Sequence, residues 1–421
     1  MAQIRFLNGE IHDWYRIIWG YSDHLVAKIL SEYDITSSQR VFDPFCGAGT
    51  TLVECKKVGV QSIGVDANPS SVFATKVKTN WKLNPERIRD LLKKVEADWS
   101  RFLEVWHSLK LDPTYHYLLC SGMLERGWIS EDVLLKSIAL KRTILSLPTI
   151  PAYKNVLMLA LLDVVVHTIA NVKFGPELYC SHSTKKVSVW KAFEQKVTSM
   201  INHLELIGKR MSGTQSRVIV GDSRECYGLL KRFGDIKFDS VITSPPYPSE
   251  HDYTRNARLE LAFLEMVTNK QTLREIKAGM LRSHTKGIYK NDNDSLYVDK
   301  VISIQKIVKE LEPICETKNY GFARLYPKVV TEYFGGMRRH FQSLGRLLKK
   351  GAVCAYVVGD QSSYFQVHIQ TAELLGILAE MEGFRVIGME RWRSRFSTKT
   401  SKSISENILY LRYNGNNFRK V

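Results

Sequence analysis

One unit recurs along this chain and constrains its fold more than any other feature. A short apolar run, rich in β-branched residues, stops at a polar or glycine-bearing turn and gives way to a segment of helical period. The unit is seen at RVFDPF (40–45), QSIGVDANP (61–69), SRVIVGDS (216–223), FDSVITSPPY (238–247) and AVCAYVVGD (352–360). Strands of this length alternating with helices predict an α/β fold with a mostly parallel, doubly wound sheet covered on both faces. The last two runs, FRVIGMERWR and ENILYLRY, follow one another with no helix between them. They predict a closing antiparallel pair.

The units are not evenly spaced. Residues 1–79 carry the first two, 80–212 read as a helical insertion rich in Trp, Lys and Leu, and 213–421 resume the alternation around a helix-rich excursion at about 254–346. Hydrophobic residues are 44% and charged residues 24% of the chain, which excludes a disordered polymer. No run is expected to reach the roughly 18 to 20 apolar residues that span a bilayer, and the first residues lack the layout of a signal peptide. The expectation is a cytoplasmic protein with no membrane partner. Seven scattered cysteines form no CxxC or Cys/His cluster, so no metal site is expected. Sixty Lys and Arg against 43 Asp and Glu give a formal charge of +17, a field that attracts polyanions. Charge alone does not decide for nucleic acid.

Three turns carry candidate chemistry. In Asp43-Pro44-Phe45-Cys46-Gly47-Ala48-Gly49-Thr50 the glycines allow a sharp strand-to-helix turn and let a ligand approach the backbone. Asp43 is placed to accept from an ammonium group. The turn lacks the GxGxxG spacing of nicotinamide and flavin sites. Asp66, followed by Ala67, ends the second run where a carboxylate binds the ribose hydroxyls of an adenosine moiety. Asp222, followed by Ser223, ends the third; it either accepts from an adenine amino group or caps the next helix.

The most specific feature is Ser244-Pro245-Pro246-Tyr247. Two prolines remove two backbone donors and stiffen the loop. An exocyclic amine on a base is a poor nucleophile, because its lone pair is delocalised into the ring. If the Ser244 hydroxyl and the Pro245 carbonyl accept its two N–H bonds, the nitrogen can pyramidalise and attack a methyl group in line. Tyr247 then supplies a stacking floor for an extruded base.

Taken together, DPFCGAGTT, GVDANP, GDS and TSPPY resemble the motifs of the DNA amino-methyltransferases, which methylate N4 of cytosine or N6 of adenine. The resemblance implies a Rossmann-like methyltransferase fold, S-adenosylmethionine as cofactor, double-stranded DNA as substrate and a cognate restriction endonuclease as functional partner. It also implies that Tyr21 and Ser22, in the segment before the first motif, support the methionine end of the cofactor. Serine at the first catalytic position is associated with cytosine in that family. The order of motifs, cofactor before catalytic, differs from many of its N4-cytosine members and leaves N6 of adenine open.

For DNA contacts the candidates are Tyr253, Arg255 and Arg258 after the catalytic loop, and Arg391, Arg393 and Arg395, which at period two would share one face of a hairpin. An RNA base methyltransferase and an inactive DNA-binding scaffold remain rival readings. Carbon-5 methylation needs a Pro-Cys nucleophile, and the chain has no Pro-Cys pair. Recognition sequence and oligomeric state are not legible.

Overall fold

The computed structural model describes residues 10–17, 20–174, 178–181, 187–207, 214–249, 251–318, 321–362, 364–397 and 402–415, leaving out the side chains of 106, 174, 395–397 and 402–404. Its strands are β1 Arg40–Asp43, β2 Gln61–Asp66, β3 Val172–Phe174, β4 Leu178–Cys180, β5 Ser216–Val220, β6 Phe238–Thr243, β7 Leu348–Gly359, β8 Phe384–Ser397 and β9 Lys402–Tyr413. Seven of them form one sheet in the order β5-β2-β1-β6-β7-β9-β8. The first five in that order pair in parallel, and β9 runs antiparallel to both β7 and β8. This is the expected Rossmann-like sheet with its terminal antiparallel strands. Strand order reverses between β1 and β6, so the crevice for a ligand opens at the carboxyl ends of those two strands.

Alternation along the strands builds two cores. Val41, Ile242, Ala355, Val357 and Ile408 pack with Leu25, Val26 and Ile29 of the helix Asp23–Glu32 on one face. Their neighbours Phe42, Val241, Tyr356, Val358 and Leu409 pack on the other, beneath Ile302–Glu316, Tyr326–Gly345 and Thr371–Met381. Successive side chains of a strand point to opposite faces, so one apolar run feeds both layers.

The region 80–212 is largely helical, and a third core forms among its helices Pro85–Glu104, Glu131–Ser146, Pro151–Val164 and Val189–Ile207. The hairpin β3-β4 within it was not expected. The segment Pro151–Ile169 is long and apolar enough to cross a membrane, contrary to the sequence expectation; 61% of its most apolar window is buried in the protein. The excursion at 254–346 does not behave as one body. Leu259 to Val267 join the core of the insertion, whereas Tyr326–Gly345 is a layer helix of the sheet.

Candidate active site

The turn after β1 is shaped by its neighbours. Cys46 N–H donates to Val65 O at 3.0 Å and Gly49 N–H to Cys46 O at 2.7 Å. Gly49 has φ +81°, and a Cβ there would lie 2.6 Å from Thr75 Cγ2, so only glycine lets the turn press on the helix Pro69–Lys78. Thr75 in return donates its hydroxyl to Gly47 O at 2.8 Å. Thr50, half-buried, opens the helix Thr50–Lys57, and Pro44 and Cys46 are buried beneath the turn. Phe45 tilts against His340 at 5.0 Å.

Asp66, the last residue of β2, accepts the N–H groups of Gly47 and Asn68, each at 2.8 Å. Burial pushes its carboxyl up to about 6. A carboxylate has about four lone-pair sites, so two backbone donors leave acceptor capacity for hydroxyl groups. Gly221 N–H donates to Asp66 O at 3.0 Å, which sets the end of β5 beside it. Ala67, Pro69, Gly221 and Asp222 form one side of a cleft of about 440 Å³. Met266, Thr272, Glu275 and Ile276, from around the helix Lys270–Ala278, form the other. The volume is that of a small-molecule site.

Asp43 has a more internal place than its motif suggests. It is 0% exposed. Its carboxylate accepts from Thr243 Oγ1 at 2.6 Å, Tyr21 OH at 3.0 Å and Phe45 N–H at 3.2 Å. Burial raises its carboxyl to about 6. With no surface left for an ammonium group, Asp43 is a hub joining β1, β6 and the segment before the first helix. Tyr21 also meets Thr51, and Ser22 lies just before Asp23–Glu32, its Oγ 3.5 Å from Asp23.

Asp222 caps the next turn and also reaches the cleft. It accepts Arg224 N–H at 2.9 Å as the cap of Ser223–Glu225, and it lines the cleft. Ser223 is buried, and its carbonyl accepts from His340 Nδ1 at 3.0 Å.

The loop Ser244 to Tyr247 leaves the end of β6, one residue after Thr243. Ser244 donates its hydroxyl proton to Val357 O at 2.9 Å. Its oxygen therefore presents lone pairs to anything else, as an acceptor role requires. Pro245 is buried and Pro246 half-buried. Tyr247 donates to Glu406 Oε1 at 2.9 Å, and its hydroxyl is 3.4 Å from Ser244 Oγ. Its ring lies so close to β7 that a Cβ on Gly359 would be 3.0 Å from Cε2. Burial and the Glu406 charge hold the phenol well above its usual range.

The expected DNA contacts divide. Tyr253 OH accepts Tyr247 N–H at 3.2 Å, so it braces the SPPY loop. Arg258 is tied inward, to Thr254 O and Tyr117 OH at 3.3 Å each, while Arg255 is half-buried. Arg391 and Arg393 do not share a face. They pair with Asn407 and Glu406, adjacent residues of β9, because a bulge at Trp392 inserts one residue into β8. Arg391 is exposed, Arg393 is ion-paired to Glu406, and the side chain of Arg395 lies outside the described residues. His12, Asp23 and Glu54 bring ligand-type atoms together, but Glu54 already holds the Lys57 ammonium at 2.6 Å.

A family model described as DNA methylase matches residues 23–76. The chain is 25% identical over 401 residues to the Type II methyltransferase M.AvaI of Nostoc sp., covering 89% of this chain and 79% of that protein. It is also 25% identical over 430 residues to the Type II methyltransferase M.BsoBI of Geobacillus stearothermophilus, covering 92% and 81%. These likenesses support the amino-methyltransferase family of DNA for this chain. A third relative, the Type II methyltransferase M.MvaI of Kocuria varians, is 23% identical over 273 residues, covering 60% of this chain and 57% of that protein.

Several residues around the site escaped sequence reasoning. Glu406 and Val357 reach the SPPY loop from β9 and β7, and Arg224 reaches Asp222 from the next turn. Thr243 alone had a local signal, as the strand residue directly before the SPPY loop. The others are brought in by strand pairing or by a turn whose direction no pattern announces.

Proposed function

We propose that this chain transfers a methyl group from S-adenosylmethionine to N4 of cytosine in double-stranded DNA. The observation that carries the reading is the 2.6 Å bond between Thr243 and Asp43, which sets the glycine turn and the SPPY loop side by side at the switch point of the sheet. The residues present fit the cofactor. Asp66 has acceptor capacity for ribose hydroxyls, Asp222 lines the cleft where an adenine amino group would be read, and Gly47, half-buried and without a Cβ, leaves the turn's backbone approachable. The cofactor supplies an electrophilic methyl group on a sulfonium.

Ser244 does the rest through its lone pairs. With its proton directed to Val357 O, the oxygen accepts one N–H of the target amine, and the Pro245 carbonyl accepts the other. Those two bonds favour the pyramidal nitrogen and hold it in place, a positioning effect that requires neither covalent intermediate nor metal. Tyr247, kept neutral, stacks on the extruded base.

The basic helical region 80–212, with Arg255 and Arg391, is proposed to hold the DNA, and the chain is proposed to protect that DNA from a cognate restriction endonuclease. Methyl transfer from tritiated cofactor to duplex DNA, followed by nucleoside analysis, tests the base. Recovery of N4-methylcytosine supports the reading, and N6-methyladenine replaces cytosine by adenine on the same mechanism. DNA affinity should fall steeply with salt as phosphate contacts release counterions. An affinity unchanged between low and physiological salt would remove the basic surface from the scheme.

A further inference from the structure

Asp222 is held from three directions by one guanidinium. Arg224 Nε is 3.0 Å from each oxygen of Asp222, and Nη2 is 2.6 Å from Oδ2. Nη2 also donates to Ala278 O at 3.1 Å, at the end of the helix that lines the opposite side of the cleft. Nη1 donates to Asp294 Oδ2 at 2.5 Å. All three nitrogens are engaged, and Arg224 and Asp294 are only 8% and 2% exposed.

We infer that Asp294, acting through Arg224, is a positioning residue that aims the Asp222 carboxylate at the exocyclic amino group of the cofactor's adenine; this rests on the cofactor reading above. A capping aspartate alone keeps some freedom about χ1 and χ2, whereas a forked pair with a planar guanidinium fixes the carboxylate plane. Arg224 can fix that plane only if its own plane is fixed. Asp294 does this from 70 residues away in sequence.

Asp294 is in turn built in. Its second oxygen takes Arg339, and its N–H donates to Glu332 at 2.9 Å. Gly335 lets its backbone approach so closely that a Cβ there would fall 1.8 Å from Asp294 O. The loop around 288–297, part of the helix-rich excursion, thus buttresses the cleft. Asp222 accepts three donors of Arg224, its N–H, Nε and Nη2, which leaves about one lone-pair site on a carboxylate that lines the cleft.

The experiment compares binding of S-adenosylhomocysteine with that of its inosine analogue, in which the adenine amino group is a carbonyl, by titration calorimetry. The wild-type chain should prefer the adenosine form by about tenfold or more, as expected for a hydrogen bond to a charged acceptor. Asp294→Asn and Arg224→Lys, two variants so that one unfolded protein does not end the test, should lower that preference to about threefold or less. Affinity for the inosine analogue should stay within about twofold. A purely structural role would weaken both ligands together and preserve their ratio, and that result would overturn the inference. So would a wild type that shows no preference. If the wild type binds neither ligand, the cofactor reading itself fails and takes the inference with it.

Discussion

The turn after β1 and the loop after β6 touch through Asp43 and Thr243, yet they are held in place by different parts of the chain. Cys46, Gly47 and Thr75 fasten the turn to partners within about thirty positions, so one βαβ unit nearly supports itself. Ser244 and Tyr247 depend on Val357 and Glu406, 113 and 159 positions away. The first arrangement is a local motif. The second exists only after β7 and β9 have joined the sheet. With the turn proposed to bind cofactor and the loop to carry the chemistry, the two should fail separately although they are adjacent in space.

The largest break expected is at the loop. Ser244→Ala should lower turnover by about 10²-fold or more while leaving S-adenosylhomocysteine affinity nearly unchanged, because the lost bond acts on the reacting amine. Steady-state rates beside calorimetric binding read both. Full activity in this variant would refute the acceptor role.

Gly49→Ala should break the other side. Its φ of +81° and the 2.6 Å approach to Thr75 Cγ2 leave no room for a Cβ, so the turn must shift. The cost expected is about 1–3 kcal/mol of stability, seen in urea melts, with cofactor affinity falling too. Unchanged stability and binding would show that the turn is less constrained than its contacts indicate.

Acid should separate binding from stability by sign. Burial raises the Asp43 and Asp66 carboxyls to about 6, above the ordinary value of 3.8. Between those values the folded chain binds protons that the unfolded chain has released, so this contribution to stability is full below 3.8 and is lost as pH rises through 6. A protonated Asp66 accepts hydroxyl donors poorly. From pH 7 to 5, S-adenosylhomocysteine affinity should therefore fall by up to about tenfold, while these two groups make the ligand-free protein no less stable. Affinity that rises on acidification would contradict the role given to Asp66.

The smallest effect is at the tyrosine. Tyr247→Phe removes the bond to Glu406 but keeps the ring on Gly359, so turnover should fall by only about fivefold, in line with one hydrogen bond of about 1 kcal/mol. Tyr247→Ala also loses stacking on the base, worth about 1–3 kcal/mol in retention of the flipped nucleotide. Fluorescence of 2-aminopurine at the target position distinguishes them. Equal signals from the two variants would mean that the ring does not stack.

How far the sequence could be read follows the same division. DPFCGAGT and GVDANP were legible because the glycines, the strand-end acid and its bonding partner all fall within one βαβ unit. The alternating sheet and its antiparallel close were legible because side-chain period and strand length are local properties. The stripe of Arg391, Arg393 and Arg395 was misread, because a bulge at Trp392 changes face without changing the residue pattern. Asp43 was read as a ligand contact because its position at a strand end is visible, while Thr243 and Tyr21, which bury it, lie 200 and 22 positions away.

By itself, the sequence determined which groups exist at the strand ends: carboxylates at the ends of β1 and β2 and just beyond β5, a hydroxyl before two prolines after β6, and an aromatic ring beyond them. It also determined that these strands would lie in one sheet, since each run must bury two faces. Only the tertiary structure decided what each group is free to do. Asp43 is consumed by Tyr21 and Thr243, Asp66 keeps lone pairs to offer, and Ser244 turns its proton toward Val357. A side chain's available lone pairs are what remains after its neighbours have taken theirs, and those neighbours come from strands and helices that only folding brings together.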